Sequence, residues 1–289
     1  MRLCTYSSGA QALLGAANER GIADLRAVDP SLPATMRELL EGGDDMLARA
    51  RRALGAARDE HVRPRTGVTL LPPVPNPSKI VCVGLNYRDH AAEVNLELPE
   101  YVTIFAKWPN TLIGDGAAIV IPRESHRVDY EAELAFVVGK RARRVAEADA
   151  LGFVAGYTCF NDVSVRDYQS RTSQWTFGKV FDTHGPCGPF LVTRDEVPDP
   201  QSLRIRCSID GETLQDSSTA QMVFGVARLV AELSAVMTLE PGDVVATGTP
   251  AGVGTSRTPR RWIAPGERVR VEIDGLGVLE NPAVADSGG

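Results

Sequence analysis

After Lys79 the chain alternates short apolar runs with glycine, proline and aspartate turns. That rhythm has the period and punctuation of β-strands. The runs "KIVCVGLN", "YEAELAFVVGK", "FVAGYTCFND", "SLRIRCSID", "DVVATGT" and "RVRVEID" are predicted strands. Few helical patterns interrupt them. In "NYRDHAAEVN", Asn86 stands where it can cap a helix, with Asp89 three residues on. In "TAQMVFGVARLVAELSAVM" apolar residues recur at helical spacing, and its Met and Phe read as packing residues. Before Lys79 the pattern differs. "GIADLRAVD" predicts a short strand, and "TMRELLEGGDDMLARARRALGAARDE" a helix broken near "EGGDD". "LLPPVPNPSK" holds four prolines in ten residues, an extended connector. The expected fold is therefore α+β but mainly β: a small α+β N-terminal domain over 1–69, a Pro-rich linker over 70–78 and a catalytic domain over 79–289.

Composition narrows the partners. The 289 residues are 43% hydrophobic and 24% charged, enough to bury a sizeable core. A net charge of −6 argues against nucleic acid and against an anionic membrane surface. Small molecules are the expected partners. The five cysteines are scattered and contain no C-x-x-C, which speaks against a disulfide framework and a zinc ribbon. "MRLCTYSSGAQALLG" lacks an apolar core of signal-peptide length, and no run approaches the ~20 apolar residues of a spanning helix. The expectation is a cytoplasmic protein.

Two carboxylates interrupt the apolar stretch "VDYEAELAFVVGK". On a strand Glu131 and Glu133 project from one face, with Cα atoms roughly 6.5 Å apart. Burying such a pair without a partner would cost several kcal/mol per ion. Either the strand lies at an edge with a solvated acidic face, or a divalent cation holds both groups. "GYTCFNDVSVRDYQ" adds Asp162, and three carboxylates with water make the all-oxygen set that Mg²⁺, Mn²⁺ or Ca²⁺ prefers. His90 and Glu93 share a helix face and can hydrogen-bond, as a water-activating base requires, although a solvated helix face also explains such a pair. Lys179 in "TFGKVFDTHGPCGP" could stabilise enolate charge or lie on the surface. Thr247, Gly248, Thr249 and Gly252 would let backbone donors approach a ligand. Arg166 and Gln169 follow Asp162 on one side of a turn, suited to salt bridging or to gripping a substrate carboxylate. Arg257, Arg260 and Arg261 read as a solvated patch that could also meet an acidic substrate.

Together these segments resemble the fumarylacetoacetate hydrolase family, from about Lys79 to Asn281. The resemblance rests on "VGLNYRDHAAE", "IFAKWPNTLIG", "VDYEAELAFVVGK", "NDVSVRDYQ", "GKVFDTHGPCGP", "TAQMVF" and "PGDVVATGTPAGVG" in series. It implies a mixed β-sandwich roll as catalytic domain, a homodimer, and a variable N-terminal domain that transfers no function. It further implies Glu131, Glu133 and Asp162 as ligands of Mg²⁺ or Mn²⁺, and Lys179 as the lysine beside the metal. His90 and Glu93 would be a dyad on a mobile lid helix. Arg166, Gln169 and Thr249 would contact a bound oxo acid, with Lys107 another pocket residue. Cys187 and His184 receive no catalytic role. Family members hydrolyse C–C bonds of acylpyruvates and diketo acids, decarboxylate oxaloacetate-like acids or isomerise unsaturated oxo acids, through a metal-bound enolate. The presence of both His90 and Glu93 favours hydrolysis of an acylpyruvate or related 2-oxo acid. A decarboxylase or isomerase on the same site is the alternative, and a non-catalytic oxo-acid-binding or interaction homologue is the alternative of another class.

Overall fold

The computed structural model describes residues 1–9 and 11–288. One twelve-stranded sheet runs through the molecule in the order Val62–Arg63, Gly21–Asp24, Gln11–Asn18, Arg2–Ser8, Gly185–Thr193, Val154–Asn161, Ala132–Val138, Val244–Ala246, Ile80–Gly84, Thr103–Lys107. Thr69–Leu71 pairs with Arg2–Ser8, and Leu112–Ile113 with Gly185–Thr193. A second, five-stranded sheet is ordered Glu212–Ser218, Arg204–Ile209, Arg268–Ile273, Gly277–Ala285, Ile119–Ile121. The mainly β character expected from the alternating runs is what the chain adopts.

The strand Ala132–Val138 is central, antiparallel to Val154–Asn161 on one side and to Val244–Ala246 on the other. Both its faces are covered. Leu134, Phe136 and Val138 join the core shared with the five-stranded sheet. Ala135 and Val137 pack with Met36, Leu39, Leu40, Ala50 and Ala53 of the N-terminal helices. Burial on both faces is why this stretch reads as an almost unbroken apolar run. It also removes the edge-strand explanation for the acidic pair.

Local sequence explains the helices unevenly. Met36–Glu41 and Gly43–Ala56 break at Gly42, as "EGGDD" predicts, and Thr35 forms a capping box with Glu38. The helix Arg88–Glu93 starts differently: its N-cap is Tyr87, with no side-chain cap. Asn86 is fully buried, donating Nδ2 to Phe224 O at 3.0 Å and Thr247 O at 2.8 Å while accepting from Phe224 N. The capping role expected of Asn86 is thus replaced by a tertiary one, because three remote backbone groups outcompete the local turn. The helix predicted from "TAQMVFGVARLVAELSAVM" is also shorter, running Val226–Val236 after a 3₁₀ turn at Thr219–Gln221. Residues 1–69 join the main sheet through Arg2–Ser8, which pairs with Gly185–Thr193.

Candidate metal centre

The antiparallel register pairs Ala132 with Asn161 and Glu133 with Phe160. One step further, Glu131 faces Asp162, and the backbone N–H of Asp162 donates to Glu131 O at 2.9 Å. The side chain of Asn161 secures the same step by accepting from Glu131 N at 3.0 Å. Two-residue periodicity then brings Glu133 to the same face. Ligand oxygens of Glu131, Glu133 and Asp162 lie within 4.8 Å of one another, and all three residues are buried. Among the described residues this is the one cluster of metal-ligating type.

Three cations surround the triad. Lys179 Nζ bridges Glu131 Oε2 at 2.7 Å and Asp162 Oδ2 at 2.8 Å. Lys107 Nζ donates to Asp162 Oδ1 at 2.6 Å and to Val163 O at 3.1 Å. Arg166 places Nη2 2.7 Å from Glu131 Oε1. Its Nε donates to Asp129 Oδ2 at 2.7 Å. Asp129, fully buried, also accepts from the backbone N–H groups of Tyr130, Gly254 and Thr255.

Burial penalises the charged form of Glu131, but the Lys179 and Arg166 cations outweigh it and hold the carboxyl below its usual range. Glu133 goes the other way. Its burial, and then the charges of Asp162 and Glu131, push its carboxyl well above the usual range, although Gly248 N donates to Oε2 at 2.8 Å. No lysine or arginine pairs with Glu133 among the described residues, so it is the member that a cation would relieve. A divalent ion fits this donor set on three counts: only oxygen is offered, the oxygens are close, and one is electrostatically uncompensated. Ligands about 2.1 Å from Mg²⁺ stand at most about 4.2 Å apart, so small side-chain rotations bring the three into one coordination sphere. With Asp129, four carboxylates face three cations; with all four ionised around a divalent ion, the set carries a single positive charge, suited to an anionic substrate.

Two members of the triad, Glu131 and Glu133, but not Asp162, join Val83, Gly84, Leu85, His90, Phe105, Arg166, Gln169, Trp175, Lys179 and Thr249 in lining a cavity of about 90 Å³. That is small beside the ~300–1,000 Å³ typical of drug-sized ligand pockets. His90 Nδ1 is hydrogen-bonded to Glu93 Oε2 at 3.1 Å, and Glu93 Oε1 accepts from Gly252 N at 2.9 Å. Burial opposes the charge on Glu93, yet the bonds from His90 and Gly252 bring its carboxyl below the usual value. A carboxylate on Nδ1 fixes the proton there and leaves Nε2 as the basic atom.

The structure gathers nearly all the residues singled out by sequence, though not always in the expected posture. Arg166 salt-bridges while lining the cavity, and its Nη1 donates to Gln169 Oε1 at 2.9 Å. The Thr249 hydroxyl is engaged, donating to Ala132 O and accepting from Gln215 Nε2. Lys107, expected in the pocket, sits behind Asp162 and outside the cavity lining. Gly248 and Gly252 do present backbone donors, but to Glu133 and Glu93. Arg257 donates to Gly252 O and Leu214 O, and Arg261 pairs with Glu267; only Arg260 of the three is exposed. Asp129 and Gln215 escaped the sequence reading. Asp129 lay in view, two positions before Glu131; Gln215 has no local signal.

Residues 79–284 match the family model described as fumarylacetoacetate (FAA) hydrolase C-terminal. The mitochondrial oxaloacetate tautomerase of Xenopus laevis is 48% identical over 265 residues, covering 91% of this chain and 82% of that protein. The corresponding Homo sapiens protein is 46% identical, covering 92% of this chain and 85% of its own. Among solved structures, a maleylpyruvate hydrolase from Sphingobium sp. SYK-6 in complex with manganese(II) ion and pyruvate superposes with a TM-score of 0.83 at 33% identity, over 99% of this chain and 100% of that one. A fumarylacetoacetate hydrolase from psychrophilic Exiguobacterium antarcticum gives 0.85 at 32%, with the same coverage. These relatives overturn the cytoplasmic expectation: the tautomerases are named mitochondrial, which points away from the cytoplasm.

Proposed function

The chain belongs to the fumarylacetoacetate hydrolase family, and from that premise we propose that it is a tautomerase of a small 2-oxo acid of the oxaloacetate class, working at a Mg²⁺ or Mn²⁺ centre held by Glu131, Glu133 and Asp162. The observation that carries the reading is that an oriented base, His90, and two carboxylates of the acidic triad, Glu131 and Glu133, line one cavity of about 90 Å³. So small a space suits an acid of few carbons. The relatives named oxaloacetate tautomerase, at 46–48% identity over most of their length, support the same substrate class.

A divalent ion bound by the triad would supply Lewis acidity to the carboxylate and 2-oxo group of a chelating substrate. The remaining work falls to the chain. Arg166, held by Asp129, presents positive charge toward the carboxylate end. His90 Nε2 takes the proton from C3, and Glu93 keeps Nδ1–H in place so that the imidazolium formed is stabilised. Lys179 sets an ammonium beside the triad, where negative charge on the C2 oxygen is lowest in energy. Returning the proton to that oxygen completes the enol. The reverse sequence gives the ketone.

Hydrolytic C–C cleavage of an acylpyruvate is the second reading, favoured by the same His90–Glu93 pair, which could activate water instead of carbon. Product analysis separates them. Tautomerisation speeds the interconversion of keto and enol oxaloacetate without changing its carbon count, whereas hydrolysis of acetylpyruvate releases pyruvate and acetate, and decarboxylation of oxaloacetate releases carbon dioxide. Faster keto–enol equilibration of oxaloacetate with Mg²⁺ or Mn²⁺, abolished by EDTA, is the expected result. Absence of that acceleration, with pyruvate released from acetylpyruvate, would replace tautomerase by hydrolase. We further propose that the active species is a homodimer and that 1–69, 70–78 and 79–289 are its N-terminal unit, connector and catalytic unit; light scattering and limited proteolysis test these two points.

A further inference from the structure

We propose that Trp175 is the residue that fixes substrate length, a rigid wall restricting the cavity to 2-oxo acids with short tails. The inference deepens the 2-oxo acid reading and rests on it.

Gly84 ends the strand Ile80–Gly84, beside the cavity. It does not adopt a positive φ, so its backbone conformation does not demand glycine. Space does. A Cβ there would lie 2.3 Å from Trp175 Cζ3 and 3.1 Å from Cη2, so the six-membered ring rests directly on the glycine α-carbon. Phe105, on the paired strand Thr103–Lys107, meets the indole edge-on with ring centroids 5.8 Å apart at 71°. The opposite duty of Phe105 is to carry Lys179 Nζ over its ring at 4.9 Å. An aromatic wall thus runs from the charged end of the cavity, at Lys179, to Trp175.

The wall is anchored at its far end too. Trp175 opens the 3₁₀ turn Trp175–Gly178, and a Cβ on Gly178 would lie 2.4 Å from Gln169 N. The turn is therefore clamped against the segment bearing Arg166 and Gln169. Residues 170–174, which precede it, are exposed. An indole fixed by Gly84, Phe105 and Gly178 cannot yield readily to a longer tail. With the carboxylate and 2-oxo group at the triad, each added methylene pushes toward this wall.

The test uses the full chain saturated with Mn²⁺ and titrated calorimetrically with pyruvate, 2-oxobutyrate, 2-oxopentanoate and 2-oxohexanoate, so that it reads affinity and not turnover. In the wild type, affinity should fall by about tenfold or more at one step of the series, since a single methylene in a tight pocket changes discrimination by roughly 10–200-fold. Trp175→Ala should move that step to longer acids or erase it. Gly84→Ala, which displaces the indole, should move it as well. Trp175→Leu replaces the alanine variant if melting shows that variant unfolded. Identical series in wild type and variants would overturn the role of Trp175 while leaving the 2-oxo acid reading intact. Binding of none of the four acids by Mn²⁺-loaded wild type would overturn both.

Discussion

Glu131 and Asp162 stand opposite each other across an antiparallel pair, 31 positions apart in sequence yet joined by a 2.9 Å backbone hydrogen bond and by one lysine that bridges their carboxylates. Position on the sheet, not loop geometry, sets their separation. In a candidate metal site built this way the strand pairing fixes where the carboxylates start, so they can be replaced without rearranging the backbone. Glu133→Gln and Asp162→Asn should each abolish the stabilisation by Mg²⁺ or Mn²⁺, worth about 2.7 kcal/mol when the ion is present at a hundred times its Kd. Melting curves with the ion and with EDTA measure it. Glu133→Gln should also melt higher than wild type in EDTA, because it removes the carboxylate that burial and its acidic neighbours most oppose. A wild-type melting temperature indifferent to EDTA would remove the metal centre from the account.

His90 tests the chemistry separately from the ion. It faces the cavity without contacting the triad, so His90→Ala should lower kcat by about 10²–10⁴-fold, the usual share of a positioned proton carrier, while the metal-induced melting shift persists. Glu93→Gln should lower kcat less, since Nδ1 keeps a hydrogen-bonding neighbour but loses its negative one. Steady-state rates on oxaloacetate enol, beside melting curves of the same samples, distinguish the two effects. Loss of metal binding in His90→Ala would make this residue a ligand instead.

Much of this site could be read from the chain, and the exceptions share a cause. Glu131 and Glu133 share a face because strands repeat every two residues, and that follows from sequence alone. His90 and Glu93 meet because helices bring i and i+3 together. Asp162 is different: the residues offered it as a third carboxylate, but its place opposite Glu131 depends on hairpin register across thirty residues, which no local period encodes. Lys107 was assigned to the pocket but stands behind Asp162, a difference set by strand pairing between Ile80–Gly84 and Thr103–Lys107 and invisible in "IFAKWPN". Asn86 carried a local capping signal that three remote backbone groups overrode. Local rules located the chemistry; long-range pairing decided which side chains stand at its surface and which support it from behind.

Asp129 is such a support. Its carboxylate accepts from Arg166 Nε and from three backbone N–H groups, two of them in the 254–255 turn. Asp129→Asn keeps the shape but removes the charge and turns one acceptor into a donor facing N–H groups. The expected loss is about 3 kcal/mol of stability, as for breaking a buried ion pair. Affinity for pyruvate in the Mn²⁺-loaded protein should fall about tenfold as Arg166 loses its orientation, while Mn²⁺ binding is retained. Denaturant melts and calorimetry read the two separately. Unchanged pyruvate affinity would confine Asp129 to a purely structural role.

His184 supplies a pH dependence remote from the reaction. It is fully buried, donates Nε2–H to Val120 O at 2.9 Å, stacks on Phe181 and has no hydrogen-bond partner at Nδ1 among the described residues. Burial, only partly offset by the bond to Val120, pushes its pKa down to about 3 from an ordinary value of 6.5. Because the folded value is depressed for a base, the unfolded chain binds the proton first: this group does not alter stability above about pH 6.5, and destabilises progressively as pH falls from there toward 3. The slope from this one residue approaches about 1.4 kcal/mol per pH unit in the middle of that window. His184→Gln, which can keep a donor toward Val120 O but cannot titrate, should be less stable than wild type near neutrality and lose less on acidification. Urea titrations at pH 7, 6 and 5 give the comparison. Equal slopes for the two proteins across that range would mean that His184 takes up its proton without unfolding.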